Sequence, residues 1–280
     1  MLMRDILVAV DGSPDSDAAV DAAATLCRKG EGTIYLLHVV PLGRAVAGAF
    51  AGLPGRLAID ALPSLPEGVA DDAGVAASPV LAAAASRLAG KGMTVEARVE
   101  YGPVPGWILS HARDKDLVLL GRTGTGGKSR GSVLDPVLSS VLVDTIIPMA
   151  IVPAPFAGRI ERPLLAYDGR AGSHAALSPA LDLAHEAGLP LTILHLPGYA
   201  PKESLAHVRK HLEDHPATIR WVDADGAGGA VERVLEALSG WKHDLLIIGP
   251  TGYHDEGDGA AEPPVESMLR RSPVPVLVLR

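Results

Sequence analysis

Two halves of this chain carry the same marks at constant spacing, and that duplication limits the possible fold more than any other feature. Leu7-Val8-Ala9-Val10-Asp11-Gly12 and Leu36-Leu37-His38-Val39 return as Leu164-Leu165-Ala166-Tyr167-Asp168-Gly169 and Ile193-Leu194-His195-Leu196, each 157 residues later. A second pair, Leu119-Leu120-Gly121-Arg122-Thr123-Gly124 and Ile247-Ile248-Gly249-Pro250-Thr251-Gly252, is offset by 128, so the second copy is 29 residues shorter between its marks. Self-similarity at a fixed offset marks a repeated folding unit. The 280 residues suffice for two units that each bury a core. The units are expected at 1–156 and 160–280, with the Pro/Gly-rich Pro153-Ala154-Pro155-Phe156-Ala157-Gly158 at their boundary.

Composition narrows the class. At 48% hydrophobic and 21% charged, the chain reads as soluble and globular. A net charge of −8 argues against nucleic acid as the main partner, because phosphate neutralisation needs clustered Lys and Arg. No apolar run approaches the roughly 20 residues of a membrane span, and no signal peptide is expected at the N-terminus. The single cysteine, Cys27, excludes an intrachain disulfide and fits a reducing cytoplasm; it reads as a buried, inert thiol. The sequence holds no Asn and no Gln, a depletion that suggests thermophilic origin as a hypothesis.

Both copies alternate short apolar runs with helical patterns, the signature of an α/β fold with a parallel sheet covered on both faces. Strands are expected near 4–10, 33–40, 93–100, 117–121 and 147–153, and again near 162–168, 190–196, 217–223, 244–249 and 274–279. The first helix should start with Ser13 as N-cap and Pro14 next, present Ala18, Ala19, Ala22, Ala23 and Leu26 to the core, and close at Arg28-Lys29-Gly30. Asp15 and Asp17 favour its positive end. The second copy suggests Ser173 as cap, Gly188 after the end, and Pro179 within. The extra length of copy one falls mainly in Leu42 to Pro79, readable as a lid, an arm onto a partner, or a plain insertion.

Ligands of open parallel sheets bind at the carboxyl ends of the strands, where strand order reverses. Three features of copy one converge there. Asp11-Gly12-Ser13 ends the first strand, His38-Val39-Val40 ends the second, and a glycine-rich loop from Gly121 to Val133 follows the fourth. Glycines let backbone N–H groups approach phosphate oxygens, Arg122, Lys128 and Arg130 supply charge, and a helix starting after Gly131-Ser132 would face the anion. A plain surface loop is the competing reading.

This arrangement resembles the universal stress protein family in its tandem two-domain form. The resemblance rests on Asp11-Gly12-Ser13, His38-Val39, Gly121 to Gly124, and the closing Pro275-Val276-Leu277-Val278, in that order and duplicated. It implies two Rossmann-like domains of the adenine nucleotide alpha-hydrolase-like kind, each a five-stranded parallel sheet with helices on both faces. In one branch of the family it also implies bound ATP, often with a divalent ion such as Mg2+. Carried over residue by residue, the ligand-binding candidates are Ala9, Asp11, Gly12, Val39, Gly121, Arg122, Gly124, Gly131, Ser132 and Val133. The six residues between Gly124 and Gly131 are fewer than the family pattern has, and counting back from Pro148 puts the expected Gly-Ser on Asp135-Pro136 instead. An aspartate there would repel phosphate, so Gly131-Ser132 is favoured on chemical grounds.

Copy two departs further, continuing from Gly252 through Tyr253-His254-Asp255-Glu256-Gly257-Asp258 to Glu262-Pro263. Carboxylates oppose a triphosphate, and proline cannot donate an amide. The second domain is therefore expected to have lost the phosphate site and to serve as a structural partner. His254 with Asp255, Glu256 and Asp258 reads as a solvated acidic loop before a metal site.

Gly127-Lys128-Ser129 has five residues between it and Gly121, where the phosphate loop of P-loop ATPases wants four, and it follows the wrong strand. Gly127 to Gly131 also matches a hydrolase elbow but lies too far past the strand end. His38 and His195 read as structural histidines, and Trp107 and Trp241 as core or interface packing. The expectation is a cytoplasmic, ATP-binding stress or signalling module, at most a slow ATPase. It would form a pseudo-dimer within the chain, with a homodimer and an unknown protein partner left open. The alternative is a member of the same family that binds no nucleotide and acts through protein contacts.

Overall fold

The computed structural model describes residues 3–41, 78–125, 134–197, 202–224, 228–250 and 263–280. All ten expected strands form. Copy one contributes β1 (Asp5–Ala9), β2 (Thr33–Val40), β3 (Thr94–Tyr101), β4 (Leu117–Gly121) and β5 (Met149–Val152). Copy two contributes β6 (Pro163–Tyr167), β7 (Leu191–His195), β8 (Ile219–Asp223), β9 (Leu245–Ile248) and β10 (Val276–Val278). Helices among the described residues are α1 (Pro14–Leu26), α2 (Pro79–Leu88), α3 (Val104–Ala112) and α4 (Pro136–Asp144), then α5 (Ala171–Ala187), α6 (Lys202–Glu213), α7 (Ala230–Trp241) and α8 (Pro264–Arg271).

The strands make one sheet in the order β3-β2-β1-β4-β5-β10-β9-β6-β7-β8. Each half is parallel throughout, and the halves meet where β5 and β10 pair antiparallel, with Leu277 opposite Ala150. Two sheet edges that would otherwise be open thereby cover each other. Central strands are apolar on both faces because helices cover both. Val8 and Leu119 join a core beneath α1, α2, α5 and α6, while Leu7 and Val118 join one beneath α3, α4, α7 and α8. Both cores run across the two copies. Burying each such side chain is worth about 1.5–3 kcal/mol.

One carboxylate per copy ties strand starts together. Asp116, just before β4, accepts the amides of Arg4 (2.8 Å) and Asp5 (3.0 Å). Asp244, just before β9, accepts those of Glu161 (2.9 Å) and Arg162 (2.8 Å). These pairs stand at the same 128- and 157-residue offsets as the sequence marks, so the repeat extends to its hydrogen bonds.

Helix α1 starts as expected: the Ser13 side chain accepts the Ser16 amide, and Pro14 follows. It stops at Leu26, ahead of the basic run, with Cys27 extended beyond it. Burial pushes the Cys27 thiol up to about 11, further helped by Asp5, which keeps it protonated and inert. The Ser173 cap is corrected. The N-cap of α5 is Arg170, without a side-chain cap bond, and Ser173 lies in the first turn, donating to Asp168 Oδ1 at 2.6 Å. Its counterpart is Ser16, not Ser13: Ser16 Oγ accepts the Asp11 amide at 3.2 Å, as Ser173 Oγ accepts that of Asp168 at 3.3 Å. Gly188 ends α5 in the left-handed region at φ 65°, and Pro179 lies inside it, both as expected.

Candidate functional site

Strand order in the first half reverses between β1 and β4, and a cavity of about 520 Å³ opens there at the carboxyl ends of β1, β2 and β4. Val39, Val104, Ile108 and Leu138 supply apolar wall, and Asp11 and Asp135 supply carboxylates. No Lys or Arg is found among the described residues of the lining.

The loop after β4 is tied down by three side chains at or just before the start of α1. Asp15, in the first turn, accepts the Thr123 amide (2.9 Å) and hydroxyl (2.7 Å) on one oxygen and the Ala154 amide (2.7 Å) on the other. Ser13 Oγ donates to the Thr123 carbonyl at 3.1 Å. Asp11 accepts the Ser13 amide at 2.9 Å on Oδ1 and the Thr125 amide at 2.6 Å on Oδ2. Burial works to raise the pKa of Asp11, but the hydrogen bonds from Ser13 and Thr125 outweigh it and hold the carboxyl below its ordinary range. Gly12 makes the turn possible at φ +79°, in the left-handed region.

Two glycines are required by close approach. A Cβ on Gly121 would stand 2.7 Å from the backbone of Asp15 and Ser16, so the strand end can meet the start of α1 only as glycine. A Cβ on Gly124 would stand 2.9 Å from Asp11 Oδ2 and 3.8 Å from Asp135 Oδ2. Gly124 therefore lies close to both carboxylates of the cavity.

Of the sequence candidates, Ala9, Asp11, Val39, Gly121 and Gly124 line this cavity; Gly12 lies beside it. Arg122 turns away: its Nη1 donates to the carbonyls of Arg270 (3.3 Å) and Ser272 (2.8 Å) at the end of α8. Gly131, Ser132 and Val133 lie outside the described residues, as do Lys128, Arg130, the Gly127–Gly131 motifs and most of the Leu42 to Pro79 insertion. The helix expected after Gly131-Ser132 begins at Pro136. Its N-cap is Asp135, whose Oδ1 accepts the amides of Val137 (2.9 Å) and Leu138 (3.4 Å). Asp-Pro is itself a helix-start signal, and reading it as one would have found this.

His38 Nδ1 donates to the Val10 carbonyl at 2.7 Å, a structural bond that also sets the ring in the cavity wall. His195 Nδ1 donates to Asp223 Oδ1 at 2.7 Å. Trp107 packs against the core and bonds the Tyr101 carbonyl at 3.0 Å; Trp241 is 38% exposed, outside the core.

The second copy differs at the side chains that stitch the first. Ser13 and Asp15 are replaced at the same offset by Arg170 and Gly172. Asp168, counterpart of Asp11, is 0% exposed and bonded to Ser173 and to the Arg170 amide. Gly249 packs even more tightly than Gly121, with a Cβ position 2.1 Å from the Gly172 carbonyl oxygen. The acidic run Tyr253 to Glu262 and its metal reading lie outside the described residues. Among the described residues no cluster of three or more His, Cys, Asp or Glu could hold a metal ion.

A model of the universal stress protein family matches residues 3–153. The chain belongs to that family. A universal stress protein from Archaeoglobus fulgidus DSM 4304 is 20% identical, with 99% of this chain and 98% of that chain covered and a TM-score of 0.71. A functionally unknown protein from Pseudomonas aeruginosa PAO1 is 15% identical over 99% of this chain and 92% of its own, with a TM-score of 0.58. Both likenesses span both halves and show the fold, two tandem Rossmann-like domains. No curated protein matches the chain. Among the described residues no helix is long and apolar enough to cross a membrane.

Proposed function

We propose that this protein binds an adenine nucleotide in the first-lobe cavity, through the nucleoside moiety, and works as a nucleotide-responsive stress or signalling module in the cytoplasm. ATP, accompanied by Mg2+, is the ligand the family resemblance implies. The reading rests above all on Asp11, a carboxylate fixed by two backbone amides at the mouth of a mostly apolar cavity. The cavity volume of about 520 Å³ is in the usual range for small-molecule sites. A planar base fits apolar walls such as Val104, Ile108 and Leu138, and vicinal ribose hydroxyls are the donors a fixed carboxylate accepts.

The triphosphate end fits less well. Arg122 is engaged elsewhere, and Asp135 holds amides an anion would need. The cavity's hydroxyl-carboxylate contacts, such as Thr123 to Asp15, tie the loop to the start of α1, and the reading is therefore a binding module or at most a slow ATPase. The second lobe is read as structural support, since its aspartate is sealed from solvent.

Isothermal titration of the full chain with adenosine and with ATP plus Mg2+ tests the proposal. One site per chain is expected, lost in Gly124→Ala, whose new Cβ must displace the Asp11 carboxylate. Absence of heat with every adenine compound would overturn it and leave a module acting through protein contacts.

A further inference from the structure

Asp135 caps α4 on the wall of the cavity. The N-terminus of a helix binds anions because its first amides lack partners and its dipole is positive there. In α4 the amides of Val137 and Leu138 already have one, the Asp135 carboxylate. That carboxylate also lies on the cavity wall, and Gly124 lies close both to it and to the second one, Asp11. Arg122, which follows the β4 end directly, is turned to the carbonyls of Arg270 and Ser272 on the other lobe. The described lining thus offers hydrogen-bond acceptors and negative charge at Asp11 and Asp135, and apolar wall at Val104, Ile108 and Leu138.

We infer that Asp135 makes this a charge-discriminating site, whose preferred ligand is an adenine nucleoside or a nucleotide of low charge, with ATP disfavoured. The inference rests on the adenine-site reading above and refines it. An uncharged nucleoside meets two acceptors with its own hydroxyl donors. A triphosphate brings its negative charge toward two carboxylates, and like charges at a few ångströms in a partly dry cavity repel strongly.

The residue is separable from the fold. Asparagine is as good an N-cap as aspartate, so Asp135→Asn removes the charge while leaving an oxygen to accept from the α4 amides. The experiment is isothermal titration of the full chain with adenosine, AMP and ATP, in EDTA, for wild type and Asp135→Asn, with circular dichroism of both. Wild type should rank adenosine and AMP above ATP. In Asp135→Asn the ATP-to-adenosine affinity ratio should rise by about tenfold or more, the scale of one removed like-charge contact. If ATP binds wild type at least as tightly as adenosine does, or the ratio is the same in both proteins, the inference is overturned while the adenine site stands. If none of the three binds wild type, both fall.

Discussion

Asp15 and Asp11 show how much a single carboxylate organises here. Asp15 is buried and satisfies three donors, on Thr123 and Ala154, which tie the β4 loop and the chain after β5 to the start of α1. Asp15→Ala should leave these part-buried donors unpaired and cost about 2–4 kcal/mol, a few charge-assisted hydrogen bonds offset by relaxation. Urea denaturation would measure it, and a loss under 0.5 kcal/mol (roughly the scatter of surface changes) would contradict the role.

Asp11 gives a pH dependence. Its folded pKa lies below the ordinary value of 3.8. Its stabilisation is therefore complete above that value and disappears as pH falls through the folded pKa. Asp11→Asn should flatten the acid limb of the stability-pH curve below about pH 4 and leave the neutral region's slope unchanged; an unaltered acid limb would refute the assignment. The sequence revealed Asp11 because strand end, glycine and serine surround it. It concealed Asp15, which reads locally as a helix-dipole acid, because its partners lie 108 and 139 residues away.

At the scale of elements, the strands were legible and the helix starts only partly so. Leu117-Val118-Leu119-Leu120 announces a strand covered on both faces, and every residue of it is buried. The α5 start was misread because Ser173 was matched by residue type to Ser13, although the 157-residue offset pairs it with Ser16. The α4 start lies after Gly131-Ser132, as the sequence suggests, and Asp135-Pro136 marks it. Strand-helix packing yields a further prediction. Gly121→Ala and Gly249→Ala each place a Cβ against helix backbone, at 2.7 and 2.1 Å. Both should destabilise by about 1–3 kcal/mol or more, as overpacking does, and Gly249→Ala should have the lower melting midpoint. Equal or higher midpoints than wild type would show that the strands and helices can shift apart freely.

On the scale of the whole molecule, the two lobes form one body through β5 and β10 and through arginines exchanged at their junction. Arg122 of the first lobe bonds the end of α8, and Arg280 of the second bonds the Leu142 carbonyl of α4. A sheet and two cores continuous across the lobes should unfold together. Tryptophan fluorescence of Trp107 alone, with the others replaced by Phe, should therefore report the same urea midpoint as Trp221 alone; two separated midpoints would mean the lobes unfold independently. Arg122→Ala should lower that common midpoint and spare adenosine affinity, since its guanidinium serves the junction. None of this long-range joining was visible in local pattern, though the duplication itself pointed to paired lobes. The asymmetry of the two lobes is the central claim, and a crystal structure of the full chain with adenosine tests it most directly. Ligand density should stand beside Asp11 and Gly124 and be absent beside Asp168; density beside Asp168 with the first-lobe cavity empty would contradict the account.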